Sequence, residues 1–409
     1  MKNVHKKDFL LSKRDHRVTN FWDVNYEPDF NIDSIELLMI GDVNKQTNKE
    51  IIDKNIYIGF DEIKKNDERP DVNMRIENKS FKTCDFSGNN GKKKITFLNC
   101  KFEKCYFSFS EFNDVNFTNC NFQCCSFSQA KFYRCFFDDN CRFYNISISG
   151  STTLISQTEI RASKFFKKIY KPYDEQLDLY KSKGLNRKEE IFRLNRSVLK
   201  VSKVMLESNR NCSNDDVFYD SVKNLFIKKL NDKKSSNSYR IEQLRIELIN
   251  KKKDVKLKEN KAISFRLLCL FKIIYLFLFK KTAFFIEGIV MKMFGFINGW
   301  GSSLPRVFIF GVLILLIYTI IYMFMDGGQV PVISVYGEAK NVEVTSFYYF
   351  TNSLLKSFDV TFLAGYTKHI TMYDSILKQL TLLTNMLVGL FWYSVLIPTL
   401  INKISVNKI

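Results

Sequence analysis

The stretch ITFLNCKFEKCYFSFSEFNDVNFTNCNFQCCSFSQAKFYRCFFDD, Ile95 to Asp139, places phenylalanine at every fifth position: Phe97, Phe102, Phe107, Phe112, Phe117, Phe122, Phe127, Phe132 and Phe137. A small residue mostly stands two places earlier, as in Cys105-Tyr-Phe107, Val115-Asn-Phe117, Cys120-Asn-Phe122 and Ala130-Lys-Phe132, and the other positions are mostly polar. A period of five matches neither the 3.6 of a helix nor the 2 of an ordinary strand. Self-similarity at a fixed short interval marks a repeat architecture. The interval breaks between Phe86 and Phe97, where Ser87 to Lys94 reads as an inserted loop, and it slips by one at Phe143.

This pattern resembles the pentapeptide-repeat family. The resemblance implies a right-handed quadrilateral β-helix with one pentapeptide per side and four per coil. Phe97, Phe117 and Phe137 would then form one column, with Phe102 over Phe122 and Cys105 over Cys125. Coils would stack at the usual strand spacing of about 4.8 Å. About three coils are legible, near the minimum for a solenoid, so both ends need caps. Residues 1–75 read as one cap, and Ile146 to Leu154 with the helices beyond as the other.

Eight of the ten cysteines fall between Cys84 and Cys141. Seven of them (Cys84, Cys100, Cys105, Cys120, Cys125, Cys135 and Cys141) stand two residues before a repeat phenylalanine. There is no Cys-x-x-Cys pair and no nearby histidine, which disfavours zinc. Small buried thiols filling core corners fit the spacing better. Outward charges are mixed, with Lys101, Lys104, Lys131 and Arg134 against Glu103, Glu111, Asp114, Asp138 and Asp139. That mixture argues against imitation of DNA and for a docking or spacing platform for a cytoplasmic protein partner.

Residues 151–262 read as a charged helical region. Asn186 with Glu189 three positions later forms a capping-box pattern. Behind it Ile191, Leu194, Val198, Val201 and Met205 recur at helical spacing. A second helix starts at Ser213 to Asp216, Lys233 to Ser238 reads as a polar linker, and a third helix carries Ile241, Leu244 and Leu248. Their apolar faces can pack within the chain or between subunits. The chain has three histidines, two of them near its N-terminus, and no Gly-rich phosphate loop or nucleophile–base pair is visible. The expectation is therefore no enzyme and no cofactor.

The net charge of +19 suits either nucleic acid or an anionic lipid surface. The apolar C-terminal part favours the membrane, with no nucleic acid partner. Residues 263–304 are apolar but interrupted by Arg266, Lys272, Lys280 and Lys281, as expected of a helix lying in the membrane interface. Val307 to Met325 is uncharged over nineteen residues, and a second uncharged stretch runs from Gln379 to Asn402. Each is long enough to cross a bilayer. No secretory leader is visible, and basic residues put both termini in the cytoplasm of a multi-pass inner-membrane protein.

Between the spans lies SFYYFTNSLLKSFDVTFLAGYTK, Ser346 to Lys368, which is too short to cross twice as helices. A re-entrant segment suits it, because non-helical backbone at membrane depth must be buried in protein or line water. Span, re-entrant loop, span resembles the pore module of tetrameric potassium-type channels, and residues 305–409 read as that module. The resemblance places Thr361, Phe362, Leu363, Ala364, Gly365, Tyr366 and Thr367 at the selectivity filter. The family's second filter glycine is Thr367 here, and Lys368 replaces the acidic residue that follows. Leu383, Leu387, Leu390 and Ser394 would face the pore, with Gly389 as a hinge and Pro398 bending the cytoplasmic end. Together with Gly299-Trp-Gly301 and Pro305-Arg306, the layout looks like bacterial pentapeptide-repeat proteins that carry an ion-channel domain. The resemblance implies a homotetramer passing a cation. The alternative is a non-conducting membrane-anchored scaffold or sensor.

The expected architecture is thus multi-domain: an N-terminal cap (1–75), the β-helix (76–150), the helical region (151–262), the interfacial helix (263–304) and an all-α two-span unit (305–409).

Overall fold

The computed structural model describes residues 23–25, 36–58, 74–91, 94–148, 153–175, 178, 182, 184–210, 212, 214–253, 259–325, 346–362, 369 and 375–406. The chain divides into two compact units, Met1–Gly288 and Ile289–Ile409.

The first unit is built on a β-solenoid of about five turns with four parallel sides. One side stacks Met74–Glu77, Ile95–Leu98, Val115–Thr118 and Phe136–Phe137. The next stacks Glu50–Ile52, Ser80–Lys82, Lys101–Glu103, Asn121–Gln123 and Arg142–Tyr144. Single parallel bridges linking Asn55, Asp85, Tyr106, Ser126 and Ser147 make the third side. Asn90–Gly91, Glu111–Asn113, Lys131–Tyr133 and Leu154–Ser156 make the fourth. Phe97, Phe117 and Phe137 are in register, as the five-residue period requires. Their rings stack at 5.2 and 4.6 Å.

Two details differ from the reading of the period. The solenoid has about five turns rather than three, because its outer coils put Ile51, Ile76, Ile148 and Ile155 where the central coils have phenylalanine. All four are buried. The break before Phe97 is not a loop from Ser87 to Lys94, since Asn90 and Gly91 pair with Glu111 and Phe112 on the fourth side. Gly91 lies 21 residues from its partner whereas Ile95 lies 20 from Val115, so one extra residue is absorbed between them.

Each corner turns in the same way. The residue two places after the inward phenylalanine or isoleucine has positive φ at Asn78, Thr83, Asn99, Lys104, Asp114, Asn119, Cys124, Arg134 and Asn145. Asn and Asp tolerate this left-handed conformation, while Lys104 and Arg134 are held in it by the coil. At Lys104 and Cys124 the corner N–H donates to the carbonyl of the next coil, both at 2.9 Å.

The inward cysteines do more than fill space. The thiols of Cys105, Cys120, Cys125, Cys135 and Cys141 donate to the carbonyls of Phe81, Phe97, Phe102, Phe112 and Phe117 in the preceding coil, at 3.2 to 3.4 Å. Thr153 and Thr158 use hydroxyls in the same way towards Phe127 and Phe132. Burial pushes the Cys135 thiol up to about 12, so it stays protonated and able to donate. Outside, the mixed charges pair across coils: Arg134 grips Asp114 with two bonds of 2.7 and 2.8 Å, and Lys131 reaches Glu111 at 3.4 Å. Exposed pairs of this kind contribute about 0–1 kcal/mol each, so the core carries the stability.

The third side is covered by Asp23, which is fully buried. Ser126, Ser128 and Ser147 donate to its Oδ1 at 2.5, 2.6 and 2.8 Å, and Tyr106 and Ser108 donate to Oδ2 at 3.1 and 3.4 Å. Burial raises its pKa, while the serine and tyrosine hydroxyl bonds oppose that rise.

The far end of the solenoid is closed by α1 (Ala162–Phe165), α2 (Pro172–Glu175) and α3 (Arg187–Arg210). Asn186 caps α3 through the Lys188 N–H at 2.9 Å. Val198, Val201 and Met205 of α3 join the solenoid core, so this face packs within the chain. Ser208 and Asn209 then pair with the open backbone edge at Thr158 and Ile160, as another coil would. That removes an exposed strand edge.

A single helix, α4 (Asp215–Lys253), runs through Lys233 to Ser238, where a linker was expected. The segment has no glycine or proline to break it, and its polar side chains are engaged. Lys233 pairs with Glu287 at 2.5 Å. Asn237 donates to the Leu276 carbonyl at 3.0 Å. Leu276 opens a π-turn, Leu276–Lys280, between α5 (Glu259–Tyr275) and α6 (Lys281–Asn298). Leu267, Phe271, Phe279 and Phe285 are exposed on these helices.

In the second unit the helix ends at Asn298, and Gly299, Trp300 and Gly301 all have positive φ before α7 (Leu304–Met325) begins. α8 (Ser346–Thr361) and α9 (Ile376–Val406) complete it. Leu304–Met325 and Ile376–Ile401 are long and apolar enough to cross a membrane.

Candidate functional site

The site is the place where α8 meets the two long helices. Sixteen residues long, α8 lies against both of them, and its packing is set by small residues and a few buried polar groups. Gly311 of α7 sits under the indole of Trp392, where a methyl group would come within 2.6 Å of the ring. The same indole donates Nε1–H to the Val307 carbonyl at 2.8 Å, fixing α9 on α7. Ser357 of α8 donates to the Leu315 carbonyl at 2.9 Å, and Tyr349 donates to that of Met323 at 2.6 Å.

At the C-terminal end of α8, Thr361 donates to Asn385 Oδ1 at 2.8 Å, and Asn385 Nδ2 donates to the Tyr322 hydroxyl at 3.0 Å. All three residues are buried. A polar chain in apolar surroundings is favourable only when its members are paired, and it then fixes one arrangement. Gly389 lies directly under Thr361. Phe362 follows as a turn and packs edge-on against Trp392 and Tyr393, at 5.5 and 5.6 Å.

Of the expected filter residues, Thr361 and Phe362 are therefore held by α9. Leu363, Ala364, Gly365, Tyr366 and Thr367 lie outside the described residues. Leu383, Leu387, Leu390 and Ser394 share one exposed stripe of α9, with Pro398 further along it. Gly389 belongs to the opposite, buried stripe with Leu382, Asn385 and Trp392. Pro398 lacks the N–H that would bond the Ser394 carbonyl, and Ser394 turns its hydroxyl to Phe391 O at 2.6 Å. Near that end Asn298 donates to Thr399 at 3.2 Å.

Sequence reasoning did not find Tyr322, Ser357 or Trp392. Tyr322 and Ser357 carry a usable signal, a hydroxyl within an apolar run, because such a group must find a partner away from water. The Trp392–Gly311 pairing has none, since it depends on the approach of two distant helices.

The family model for pentapeptide repeats matches residues 100–139 with eight copies. No curated protein matches the chain. A solved structure of a trypsin-treated variant of QnrB1, a plasmid-mediated fluoroquinolone resistance protein, is similar at 17% identity and a TM-score of 0.17. The match covers 31% of this chain and 64% of that one, so the chain spans less than two thirds of its length. The chain thus carries pentapeptide repeats wound into a four-sided solenoid, together with two helices long and apolar enough to cross a membrane.

Proposed function

We propose that the chain forms a homotetrameric cation channel of the two-span class in the inner membrane, with both termini in the cytoplasm. The solenoid and its helices would gate or localise it by docking a cytoplasmic protein. One observation carries the reading: a short helix seated between two apolar helices, with its C-terminal end fixed by Thr361, Asn385 and Tyr322. A short helix held in this way would aim the backbone after Thr361 at a common axis among sister chains. Carbonyls there could replace an ion's hydration shell. Two spans cannot enclose a pore alone, and the exposed stripe Leu383, Leu387, Leu390 and Ser394 would then face the axis.

The test is reconstitution of the purified protein in a planar bilayer, with Gly365→Val beside it. Current from the parent that is lost in the variant supports the channel. Silence from the parent across ions and voltages overturns it and favours the membrane-anchored scaffold. In that case a cellular activity survives Gly365→Val but is lost in Phe117→Asp. Phe117 is 1% exposed and stacked on both sides, so a carboxylate there costs several kcal/mol, about enough to unfold a coil.

A further inference from the structure

A cleft of about 770 Å³ lies between residues 166–171, the short helix α2 and the long helices α3 and α4. Its volume is within the range of about 300–1,000 Å³ usual for small-molecule sites. Five lysines line it: Lys167, Lys168 and Lys171 from the turn before α2, and Lys228 and Lys234 from α4. All but Lys228 are exposed, so a ligand can reach them from solvent.

The two carboxylates of the cleft are already engaged. Asp174 accepts from Arg187 at 2.7 Å, and Glu175 accepts from Asn145 at 3.2 Å. Among the described residues none of the five ammonium groups forms an ion pair. Lys168 donates to the neutral Tyr144 hydroxyl at 2.8 Å. Lys228 is half-buried, and its ammonium stands 5.3 Å from the Phe166 ring, a cation–π contact. Burial lowers its pKa, and an anion in the cleft would oppose that shift. Desolvating a charge without a charged partner is costly, so a cation left this way on the wall of an open cleft calls for an anion from outside the chain.

Five positive charges against two negative ones leave an excess of three. A single phosphate monoester carries about −1.5 to −2 at pH 7, which falls short of it. Ammonium groups are compact point charges that suit phosphate oxygens approached from several directions. An acidic peptide spreads its charge along about 3.3–3.6 Å of chain per residue, whereas linked phosphates bring comparable charge into a smaller volume.

We propose that this cleft binds a soluble oligophosphate, a chain of two or more linked phosphate groups, free or carried on a small molecule. The exposed lysines hold its outer oxygens, and Lys228 meets the innermost phosphate.

The test is calorimetric titration of the full-length detergent-purified protein with tripolyphosphate, orthophosphate, a hexaglutamate peptide and dioctanoyl phosphatidylglycerol. Tripolyphosphate is expected to bind about tenfold or more tightly than orthophosphate, and about tenfold more weakly to Lys228→Met and to the double variant Lys167→Ala/Lys234→Ala. Lys101→Ala, outside the cleft and paired with Glu103 at 2.9 Å, should leave the affinity unchanged. If Lys228→Met does not fold, as judged by circular dichroism, the double variant decides alone. Absence of tripolyphosphate binding, or affinity unchanged in the folded cleft variants, overturns the proposal. So does hexaglutamate binding as tightly, which makes this an acidic-peptide site, or the phosphatidylglycerol doing so, which makes it a lipid-headgroup site.

Discussion

Gly389 faces the backbone carbonyl of Thr361 so closely that a methyl group on its Cα would stand 2.2 Å from that oxygen. The neighbour is main chain, so no side chain can swing aside to make room. Gly389→Ala must push α8 away from α9 and strain the Thr361–Asn385 bond. Overpacking of this kind costs about 1–3 kcal/mol. The expected outcome is a lower thermal midpoint in detergent and, if the chain conducts, altered or lost current. An alanine variant indistinguishable from the parent in both would mean that this contact does not hold the helix.

The cysteine ladder predicts a difference between two substitutions of similar size. Cys120→Ser keeps a donor for the Phe97 carbonyl, whereas Cys120→Val removes it and leaves a buried acceptor. A neutral hydrogen bond contributes about 0.5–1.5 kcal/mol, so valine is expected to cost roughly that much more than its hydrophobicity returns. Urea titration of the two variants checks it. Equal midpoints would show that the thiols act by volume alone.

Asp23 makes a test of the covered solenoid side. Its Oδ1 accepts from Ser126, Ser128 and Ser147, and an amide retains that oxygen. Asp23→Asn should therefore be tolerated far better than Asp23→Leu, which removes the acceptor of all five hydroxyls. The leucine variant is expected to lose several kcal/mol, on the order of 1–3 for each unsatisfied group before relaxation. Thermal unfolding of both variants reads the difference, and equal melting would refute it.

Glu190 gives a pH dependence. Its ordinary carboxyl value of 4.5 is raised to about 7 by burial, with Arg193 opposing and Glu189 assisting, while Tyr170 and Tyr173 line one pocket with it. Below pH 4.5 the group is protonated whether folded or unfolded and contributes nothing. Between that pH and about 7 the unfolded chain ionises first, so stability falls as pH rises and then levels off. Glu190→Gln should remove this loss, on the order of 3 kcal/mol, at about pH 8 and change little at about pH 4. Denaturant midpoints at the two pH values check it, and a gain in acid as large as that in base would contradict it.

The solenoid's central coils were legible because the phenylalanine of one side recurs after four fives, and nothing else makes Phe97, Phe117 and Phe137 neighbours. Its outer coils were hidden because Ile51, Ile76 and Ile155 fill the same slots without a visible period. The thiol bonds were also hidden, since spacing shows that Cys120 points inward but not which carbonyl it meets. The length of α4 was missed because Lys233 to Ser238 is polar, and only its partners Glu287 and Leu276 show why it stays helical. In the second unit, composition marked both long helices and a shorter element between them. The buried polar chain from Tyr322 to Thr361 joins three separate elements, and such a junction has no period to read.

The cross-coil bond of each inward thiol goes to the floor beneath it, so in the phenylalanine core a storey touches only its immediate neighbours, and among the described residues Asp23 alone ties three storeys together on the third side. Excising one storey, Lys101 to Cys120, brings Asn121 to the place Lys101 held and renews the same thiol–carbonyl and ring contacts, Phe122 over Phe81 and Cys125 against its carbonyl. Height can thus change by duplication or deletion in steps of about 4.8 Å. The tower behaves as an adjustable spacer whose length evolution can reset without redesigning its interior.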